Sequence, residues 1–343
     1  MKKHIRDLDL GQLQEVLKSQ GYPLFRAGQI FTWLYEKNVT QFSQMNNLPA
    51  GLRKQLDDTF LIHTLSVVHK AVSADGTEKF LFETADNQHL ESVSIPAEGR
   101  TTACISSQVG CKFGCAFCLS GTGGFKRNLS CGEILDQVCS VKRLNQRHGL
   151  THIVFMGMGE PFDNYDTVLK AVRMINAQEA IGIGARRITI STCGIIPGIE
   201  RLAAEKIQIE LSVSLHAAFE KLRSQLMPVN KAYPLKALIA ACRRYVEQTN
   251  RQVTFEYILL KGVNSSLSDA RELGTILRGM NAKINLIAVN PGAALGFQAP
   301  DKTDLLFFKN ELAKQGVHVT VRQSRGQDIE AACGQLRMRY EKT

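Results

Sequence analysis

From about residue 98 onward, short runs of β-forming residues alternate with segments of helix length. This alternation is typical of parallel strands, because the crossover to the next parallel strand is usually made by a helix. The candidate strands cover residues 102–106, 152–156, 187–191, 209–214, 253–259, 284–289 and 317–321. The clearest helix is predicted to begin at Ser130, where Ser130 and Glu133 can form a capping box ahead of an apolar face. The pattern therefore predicts an α/β fold.

The alternation suits both a doubly wound sheet and a barrel, and periodicity alone does not separate them. Distinctive polar or glycine-rich residues follow most of the predicted strands: Gly159-Glu160, Ser191-Thr192, Ser214-Leu215-His216, Asn290-Pro291 and Arg325-Gly326. Active sites form at the carboxyl ends of parallel strands in both architectures, but contributions from so many strands favour the mouth of a barrel. We therefore expect a partial TIM-type (β/α) barrel.

The first 97 residues have a different pattern. Short helices are predicted up to about residue 60, around a Gly21-Tyr22-Pro23 break, and alternating strands with an Asp75-Gly76 turn follow. The prediction is a small N-terminal α+β accessory domain over residues 1–97 and a barrel domain over residues 98–343.

The chain is basic, with 42 Lys and Arg against 32 Asp and Glu and a formal charge of +10. This excess favours a polyanionic partner and an RNA-binding role for the accessory domain, although a basic protein with merely solvated charges has the same composition. The apolar runs are too short for a membrane span, and the first residues do not resemble a secretory signal. The expectation is a cytoplasmic protein without membrane contact.

Nine cysteines is an odd number for a disulfide framework and favours reduced, metal-binding or catalytic thiols. Cys111, Cys115 and Cys118 place three thiols within eight residues. Thiolates are the ligands of iron–sulfur clusters, whereas a structural zinc site normally has a fourth ligand, and no second pair of cysteines follows. Three ligands leave one iron of a 4Fe-4S cluster open to chelate S-adenosylmethionine (SAM). This spacing, with Phe117 before the last cysteine, resembles the radical SAM superfamily.

Further motifs resemble those of the RlmN/Cfr family of ribosomal RNA adenine methyltransferases, and the resemblance extends over nearly the whole chain. The matching segments begin with Cys104-Ile-Ser-Ser-Gln-Val-Gly-Cys111 and continue through 117–129, 156–161, 191–192, 214–217 and 328–336. The resemblance implies a radical SAM barrel, a C-terminal loop with a catalytic cysteine, and an adenine of 23S rRNA as the substrate. One departure is the segment 292–297, which replaces a more proline-rich loop and could reshape the rim that faces RNA.

The resemblance also implies that two SAM molecules are used per turnover. One SAM methylates Cys333, and a second, cleaved at the cluster, supplies the radical that takes hydrogen from the S-methyl group. The resulting methylene radical adds to the adenine. Glu91 then matches the base that removes the ring proton, and Cys104 matches the thiol that attacks Cys333, forms a transient disulfide and releases the methylated base. An external electron donor and a thiol reductant complete the cycle.

The resemblance to this family also predicts the SAM site. Its residues are Gly159, Glu160, Ser191, Ser214, Leu215, His216 and Asn290. Without the resemblance, Glu91 in a predicted edge strand would be a solvated carboxylate, Cys104 a core residue and His216 a structural histidine. Cys131, Cys139 and Cys242 fall on or beside apolar helix stripes and are assigned to packing, while Cys193 has no predicted role.

Several alternatives remain open. The preferred branch of the family methylates carbon 2 of the rRNA adenine and of the adenine 3′ of the tRNA anticodon, and the other branch methylates carbon 8 and confers resistance to antibiotics of the peptidyl transferase centre. A second alternative is a radical SAM enzyme that acts on a small molecule, which would not need both Cys104 and Cys333. A third is a zinc-bearing RNA-binding module without enzyme activity, which would be colourless, whereas an iron–sulfur enzyme is brown.

The expected oligomeric state is a monomer.

Overall fold

A computed structural model describes residues 2–145, 149–290, 296–322, 324–332 and 335. Their strands are β1 (Lys3–His4), β2 (Phe60–Leu61), β3 (Ser66–Val72), β4 (Glu78–Glu83), β5 (His89–Ala97), β6 (Arg100–Cys104), β7 (Gln108–Gly110), β8 (Phe125–Asn128), β9 (His152–Phe155), β10 (Ile188–Thr192), β11 (Glu210–Ser214), β12 (Val253–Leu259), β13 (Ala282–Ala288) and β14 (His318–Arg322). Their α-helices are α1 (Leu10–Ser19), α2 (Phe25–Phe31), α3 (Ala50–Thr59), α4 (Cys131–Leu144), α5 (Tyr165–Asn176), α6 (Ile196–Ala204), α7 (Glu220–Leu226), α8 (Leu235–Thr249), α9 (Leu267–Leu277) and α10 (Lys302–Lys314).

One large sheet organises the molecule, with the strand order β14-β13-β12-β11-β10-β9-β6-β5-β4-β3. β6 and the strands from β9 to β14 are parallel neighbours in chain order. A doubly wound sheet would reverse its strand order part of the way along, so this winding is of the barrel type. The predicted α/β fold is confirmed. Among the described residues, β14 and β3 are the two ends of the sheet, and the barrel is open between them.

The predicted strands and the predicted start of α4 agree with the structure. Ser130 caps α4 by accepting a hydrogen bond from the Glu133 amide at 3.2 Å, while the Ser130 amide donates to the Glu133 carboxylate at 2.8 Å. The apolar residues Ile134, Leu135, Val138 and Val141 of this helix are fully buried, and Leu144 at its end is partly buried. The helix thus covers the sheet with the face that its sequence predicted.

The N-terminal hairpins β3–β4 and β4–β5 extend the barrel sheet, since β5 pairs antiparallel with β6. The domain boundary predicted at residue 97 stays a prediction, and strands on both sides of it belong to one sheet. Among the described residues, no helix combines the length and the apolar character that crossing a membrane requires.

Residues 2–62 form a helical unit that contacts α4 through a buried charge network. The Arg6 guanidinium, 1 % exposed, lies 3.2 Å from Asp136 of α4. Asp136 also accepts from the amides of Thr64 and Leu65 and contacts His63 at 2.8 Å. Burial by itself would raise the pKa of the Asp136 carboxyl. Hydrogen bonds from His4 and His63 and the positive charge of Arg6 outweigh the effect of burial and hold that pKa far below its ordinary value.

Candidate active site

A cavity opens at the carboxyl ends of the parallel strands, as the sequence predicted. It is lined by the three clustered cysteines, Cys111, Cys115 and Cys118, and by Gly159, Glu160, Ser191, Ser214 and His216. The structure therefore brings together the predicted cluster ligands and most of the predicted SAM residues, although their side chains come from four separate stretches of the chain.

The cysteine loop is held between β7 and β8, which pair antiparallel. Gly110 precedes the loop with φ +74°, and a Cβ at this position would lie 1.8 Å from the Gly124 carbonyl oxygen. Only glycine therefore allows the two ends of the loop to come this close. The Cys111 amide donates to the same carbonyl at 3.2 Å.

The three thiols are partly buried and close enough to influence one another. Burial raises the pKa of the Cys111 thiol to about 11, with Cys118 adding to the rise, and burial together with both neighbours raises the pKa of Cys115 further. Thiols bind iron as thiolates, so metal binding has to drive an ionisation that the apolar surroundings oppose.

The donor set fits a 4Fe-4S cluster better than a single ion. Among the described residues, no three His, Cys, Asp or Glu side chains meet as they would around one metal ion. A 4Fe-4S cluster has a different requirement, because each of its thiolates binds a separate iron atom. Three cysteines around one cavity meet this requirement.

Glu160 projects into the cavity from the turn after β9 and is only 4 % exposed. Its carboxylate accepts hydrogen bonds from the amides of Cys193 at 2.7 Å and Phe162 at 3.0 Å. Burial raises the pKa of this carboxyl in spite of these bonds. A cation at this point, such as the ammonium of an amino acid, would restore the ionised form. Gly159 has φ +94°, and a Cβ there would clash with Gln108 at 2.5 Å.

Arg223 of α7 holds two of the turns that line the cavity. Its side chain is fully buried, and its guanidinium donates to the carbonyl oxygens of Cys193 (2.9 Å), Ser214 (3.1 Å) and Leu215 (3.2 Å). A fourth bond, at 2.7 Å, goes to the Asn230 amide oxygen. One side chain thus fixes the turns after β10 and β11, both of which line the cavity.

His216 lines the same cavity in the left-handed backbone region, with φ +58°. Its Nδ1 accepts a hydrogen bond from the Ile258 amide at 3.0 Å, which leaves Nε2 as the protonated nitrogen. Burial, and to a lesser extent the charge of Arg223, lower the pKa of this imidazole to about 3. The ring is therefore neutral, and it packs edge-on against Phe117 of the cysteine loop at 4.6 Å.

A second cavity adjoins the first and contains Cys104. It is lined by Cys104, Asn290, Ser324, Arg325, Ala331 and Ala332, together with Ile95. Met156, Ile287 and Arg322 line both cavities and form a shared wall between them. Cys104 is 6 % exposed, so it is buried as a core residue would be, yet it also borders a cavity. Cys104 therefore faces the segment that leads directly into Cys333.

Glu91 lies on β5 between β4 and β6, so the prediction of an edge strand was wrong. The antiparallel pairing of β5 with β6 covers the side that sequence patterns left open. Glu91 is 5 % exposed, and its carboxylate is 3.4 Å from the Lys79 ammonium. Val93 pairs with Cys104 and stands two residues from Glu91, so Glu91 and Cys104 point to the same face of the sheet.

Other predicted residues take different positions. Leu215 is fully buried and accepts the Arg223 bond through its carbonyl, whereas Asn290 lines the second cavity and accepts from Gln327 at 2.8 Å. Cys333 and residues 292–295 of the divergent segment 292–297 lie outside the described residues. The helical cysteines at 131, 139 and 242 are buried. Cys193, without a predicted role, lines the first cavity.

Sequence reasoning missed three charged residues of this region. Arg223 sits in an ordinary amphipathic helix pattern, Glu256 occupies the interior strand β12, where charges are uncommon, and Arg322 is the last residue of the outer strand β14. Burial of Glu256 raises the pKa of its carboxyl, which accepts a hydrogen bond from Asn285 at 2.8 Å. A charged residue within an apolar strand run was the one signal that could have pointed to Glu256.

Comparison with known proteins agrees with this geometry. Residues 105–273 match the model of the radical SAM superfamily, and residues 3–62 match the N-terminal domain of ribosomal RNA large subunit methyltransferases. The chain is 46% identical over 99% of its length to a protein of Bacillus cytotoxicus named "Probable dual-specificity RNA methyltransferase RlmN", covering 95% of that protein. A relative of the same name from Geobacillus kaustophilus is also 46% identical, over 98% of this chain and 93% of the relative.

The fold also matches a solved structure along almost its whole length. A radical SAM methyltransferase from Sphaerobacter thermophilus superimposes with a TM-score of 0.95 and 46% sequence identity, covering 98% of this chain and 99% of that one. Radical SAM enzymes use SAM and a 4Fe-4S cluster, which the three-cysteine loop and the acidic turn beside it fit. The chain belongs to the RlmN family of radical SAM RNA methyltransferases.

Proposed function

We propose that this enzyme methylates carbon 2 of a specific adenine in 23S rRNA and of the adenine 3′ of the anticodon in tRNA, using Cys333 as the methyl carrier. The names of its relatives, which describe dual-specificity RNA methyltransferases, support two classes of RNA substrate. The net charge of +10 supports a polyanionic substrate.

The observation that carries the proposal is the pair of adjoining cavities. One contains the three clustered thiols, and the other contains Cys104 and the residues just before Cys333. A carrier that is loaded and activated in the first cavity and discharged in the second has to pass only the shared wall of Met156, Ile287 and Arg322. An ordinary transferase that moves a methyl group directly from SAM to RNA has no use for a second thiol in an adjoining cavity.

In this proposal Cys111, Cys115 and Cys118 hold the 4Fe-4S cluster. Its chemistry, with SAM bound, is to supply the 5′-deoxyadenosyl radical that removes hydrogen from the S-methyl group. Glu160 receives the SAM ammonium on a carboxylate whose other contacts are backbone amides. Gly159, Ser191, Ser214, Leu215 and His216 complete this site, and Asn290 closes it on the side of the second cavity.

Glu91 and Cys104 resolve the covalent adduct between Cys333 and the adenine. Because both side chains point to the same face of the sheet, the Glu91 carboxylate can take the ring proton near the point where the Cys104 thiolate attacks the Cys333 sulfur. Before this attack the adduct radical would give up one electron, returned to the oxidised cluster, together with the ring proton. The attack forms the Cys104–Cys333 disulfide and breaks the bond between sulfur and the transferred carbon, which takes up a proton and becomes the methyl group of the released base. A thiol reductant then returns both residues to thiols, and an external electron donor serves the cluster.

The test is anaerobic turnover of rRNA and tRNA with reconstituted enzyme and methyl-deuterated SAM, followed by mass spectrometry of the nucleosides. The expected product is 2-methyladenosine that has lost one deuterium, with that deuterium in 5′-deoxyadenosine. A product that retains every deuterium would rule out hydrogen abstraction from a carrier. Labelled 8-methyladenosine would assign the chain to the carbon-8 branch, and the absence of either product from enzyme that cleaves SAM would refute adenine methylation.

A variant of the releasing thiol and a matched control sharpen the experiment. Cys104→Ala should leave RNA covalently attached to the protein, because the thiol that releases it is absent. Cys242→Ser is the control, since Cys242 is a fully buried residue of α8 that lines neither cavity. Release of free methylated base by Cys104→Ala at the parent rate would contradict the assigned role.

A further inference from the structure

The C-terminal segment 324–332 rests on the turn between β3 and β4, more than 250 residues earlier in the chain. The Asp328 carboxylate accepts from the Ser73 hydroxyl at 2.6 Å and from the Ala74 amide at 3.1 Å. In the opposite direction, the Gly326 amide donates to the Asp75 carboxylate at 3.0 Å. Two aspartates, one on each partner, thus join the segment to the turn.

The fit is steric as well as polar. Gly326 adopts φ +62°, and a Cβ added there would lie 2.8 Å from the Ala331 Cβ and 2.9 Å from the Thr77 Cγ2. Thr77 is fully buried and Ala331 is 7 % exposed. The Ala331 amide donates back to the Gly326 carbonyl at 2.9 Å, which folds the segment into a compact loop against the turn.

Two further bonds connect this contact with the candidate active site. Lys79, whose ammonium is 3.4 Å from the Glu91 carboxylate, also donates to the Glu330 carbonyl at 3.3 Å. Gln327 donates to Asn290, which lines the second cavity, at 2.8 Å. The segment is therefore tied to the predicted base on one side and to a predicted SAM residue on the other.

We propose that the turn 73–77 is the seat of the Cys333-bearing segment, and that Asp328 and Asp75 are positioning residues for methyl transfer. This inference rests on the proposed function, in which Cys333 carries the methyl group. Cys333 is joined to Ala332, and Ala331 and Ala332 line the cavity of Cys104. A seat that holds these two alanines keeps the carrier in reach of Cys104 and of adenine, so that hydrogen abstraction is followed by transfer to RNA.

The seat is tested first without catalysis, by amide hydrogen exchange of the full chain. Asp328→Ala should speed exchange in peptides covering 324–332 by roughly fivefold, since an exposed charge-assisted pair is removed. Asp328→Asn should give a smaller change, because its amide oxygen can still accept one bond. Strands β10 and β11 should be unaffected, and so should the segment in the control Asp166→Ala, which breaks a surface ion pair with Arg201.

A double-variant cycle then asks whether the turn is the partner. If Ser73 and Asp328 act together, adding Ser73→Ala to Asp328→Ala should change the exchange little beyond the single variant. Fully additive effects, or unchanged exchange in Asp328→Ala, would overturn the seat.

Positioning is tested by the ratio of 5′-deoxyadenosine to methylated adenine formed per turnover. This ratio should rise about threefold or more in Asp328→Ala and return toward the parent value in Asp328→Asn. Faster exchange with an unchanged ratio would reduce the seat to a structural contact and refute the positioning role. If the parent enzyme carries no methyl group on Cys333, the proposed function fails instead, and the exchange data still decide whether the seat exists.

Discussion

Replacing Arg223 with methionine should destabilise the protein and loosen the proposed SAM site at the same time. The guanidinium is fully buried and makes four hydrogen bonds, three of them to backbone carbonyls of the turns after β10 and β11. Methionine has a similar length but no donor. The carbonyls of Cys193 and Ser214 and the Asn230 amide oxygen therefore lose this partner, whereas the Leu215 carbonyl keeps a hydrogen bond from the Ala217 amide at 2.8 Å. Each buried acceptor left without a bond costs about 1–3 kcal/mol.

The expected loss of stability is reduced because the variant also removes an unfavourable contribution, the desolvation of the Arg223 charge. Burial lowers the pKa of Arg223, which shows that its charge is held at the expense of solvation, and the variant removes that penalty. We therefore take the lower end of the range for each of the three acceptors and expect a loss of about 3 kcal/mol in the free energy of unfolding. For 343 residues the unfolding entropy is about 0.7 kcal/mol per kelvin, so Tm should fall by about 4 °C.

The assay is thermal unfolding combined with equilibrium binding of SAM to the anaerobically reconstituted protein. SAM affinity should fall at least tenfold, because the turns at Cys193 and Ser214 lose their common donor. Arg201→Met is the matched control, since Arg201 is an exposed arginine in a surface pair and should leave Tm within about 1 °C. An Arg223→Met protein with parental Tm and parental SAM affinity would refute this reasoning.

Three further predictions concern other parts of the molecule. Asp136→Asn leaves the Arg6 charge without its buried partner and should lower the free energy of unfolding by about 3 kcal/mol at pH 7. Since the folded-state pKa of Asp136 is depressed far below its ordinary value, its contribution is fully present above the unfolded-state pKa of about 4 and is lost gradually as pH falls toward the folded-state pKa. The urea midpoints of parent and variant should therefore begin to converge below pH 4. Cys115→Ser should abolish the visible absorption and the bound iron of reconstituted protein, whereas Cys242→Ser should retain both; iron at the parental level in Cys115→Ser would exclude it as a ligand. Glu91→Gln should still form S-methylcysteine but accumulate the RNA adduct, as measured by gel shift and peptide mass, and unimpaired release of methylated base would exclude Glu91 as the base.

Much of the fold could be predicted because its signals are local. Parallel strands of a barrel are short, apolar and separated by amphipathic helices, and the α4 capping box is contained within four residues of sequence. Residues after the strands could be expected to meet at one mouth, because the carboxyl ends of parallel strands share one edge. This is why Glu160, Ser191, Ser214 and His216 were predicted near one another and are found around one cavity.

The features that were missed depend on contacts between distant segments. Nothing near Glu91 indicates that β6 will pair with its strand, so its burial follows only from the strand order of the whole sheet. Arg223 has the sequence surroundings of a solvated helix residue, and its burial follows from the way α7 packs over two strand ends. The contact between Ser73 and Asp328 joins residues 255 positions apart.

The continuity of the sheet has a consequence for where the chain can be shortened. β3 is an outer strand, and its exposed residues, its Lys70 and the irregular pairing between Val67 and His69 are features that discourage a second molecule from adding a strand there. β6 has no such protection, since Ala103 and Cys104 are buried and β5 occupies its free side. Removal of residues 66–97 would replace an outer strand that resists strand addition with one that can pair with a strand of another molecule. The shortened barrel should therefore aggregate through β6.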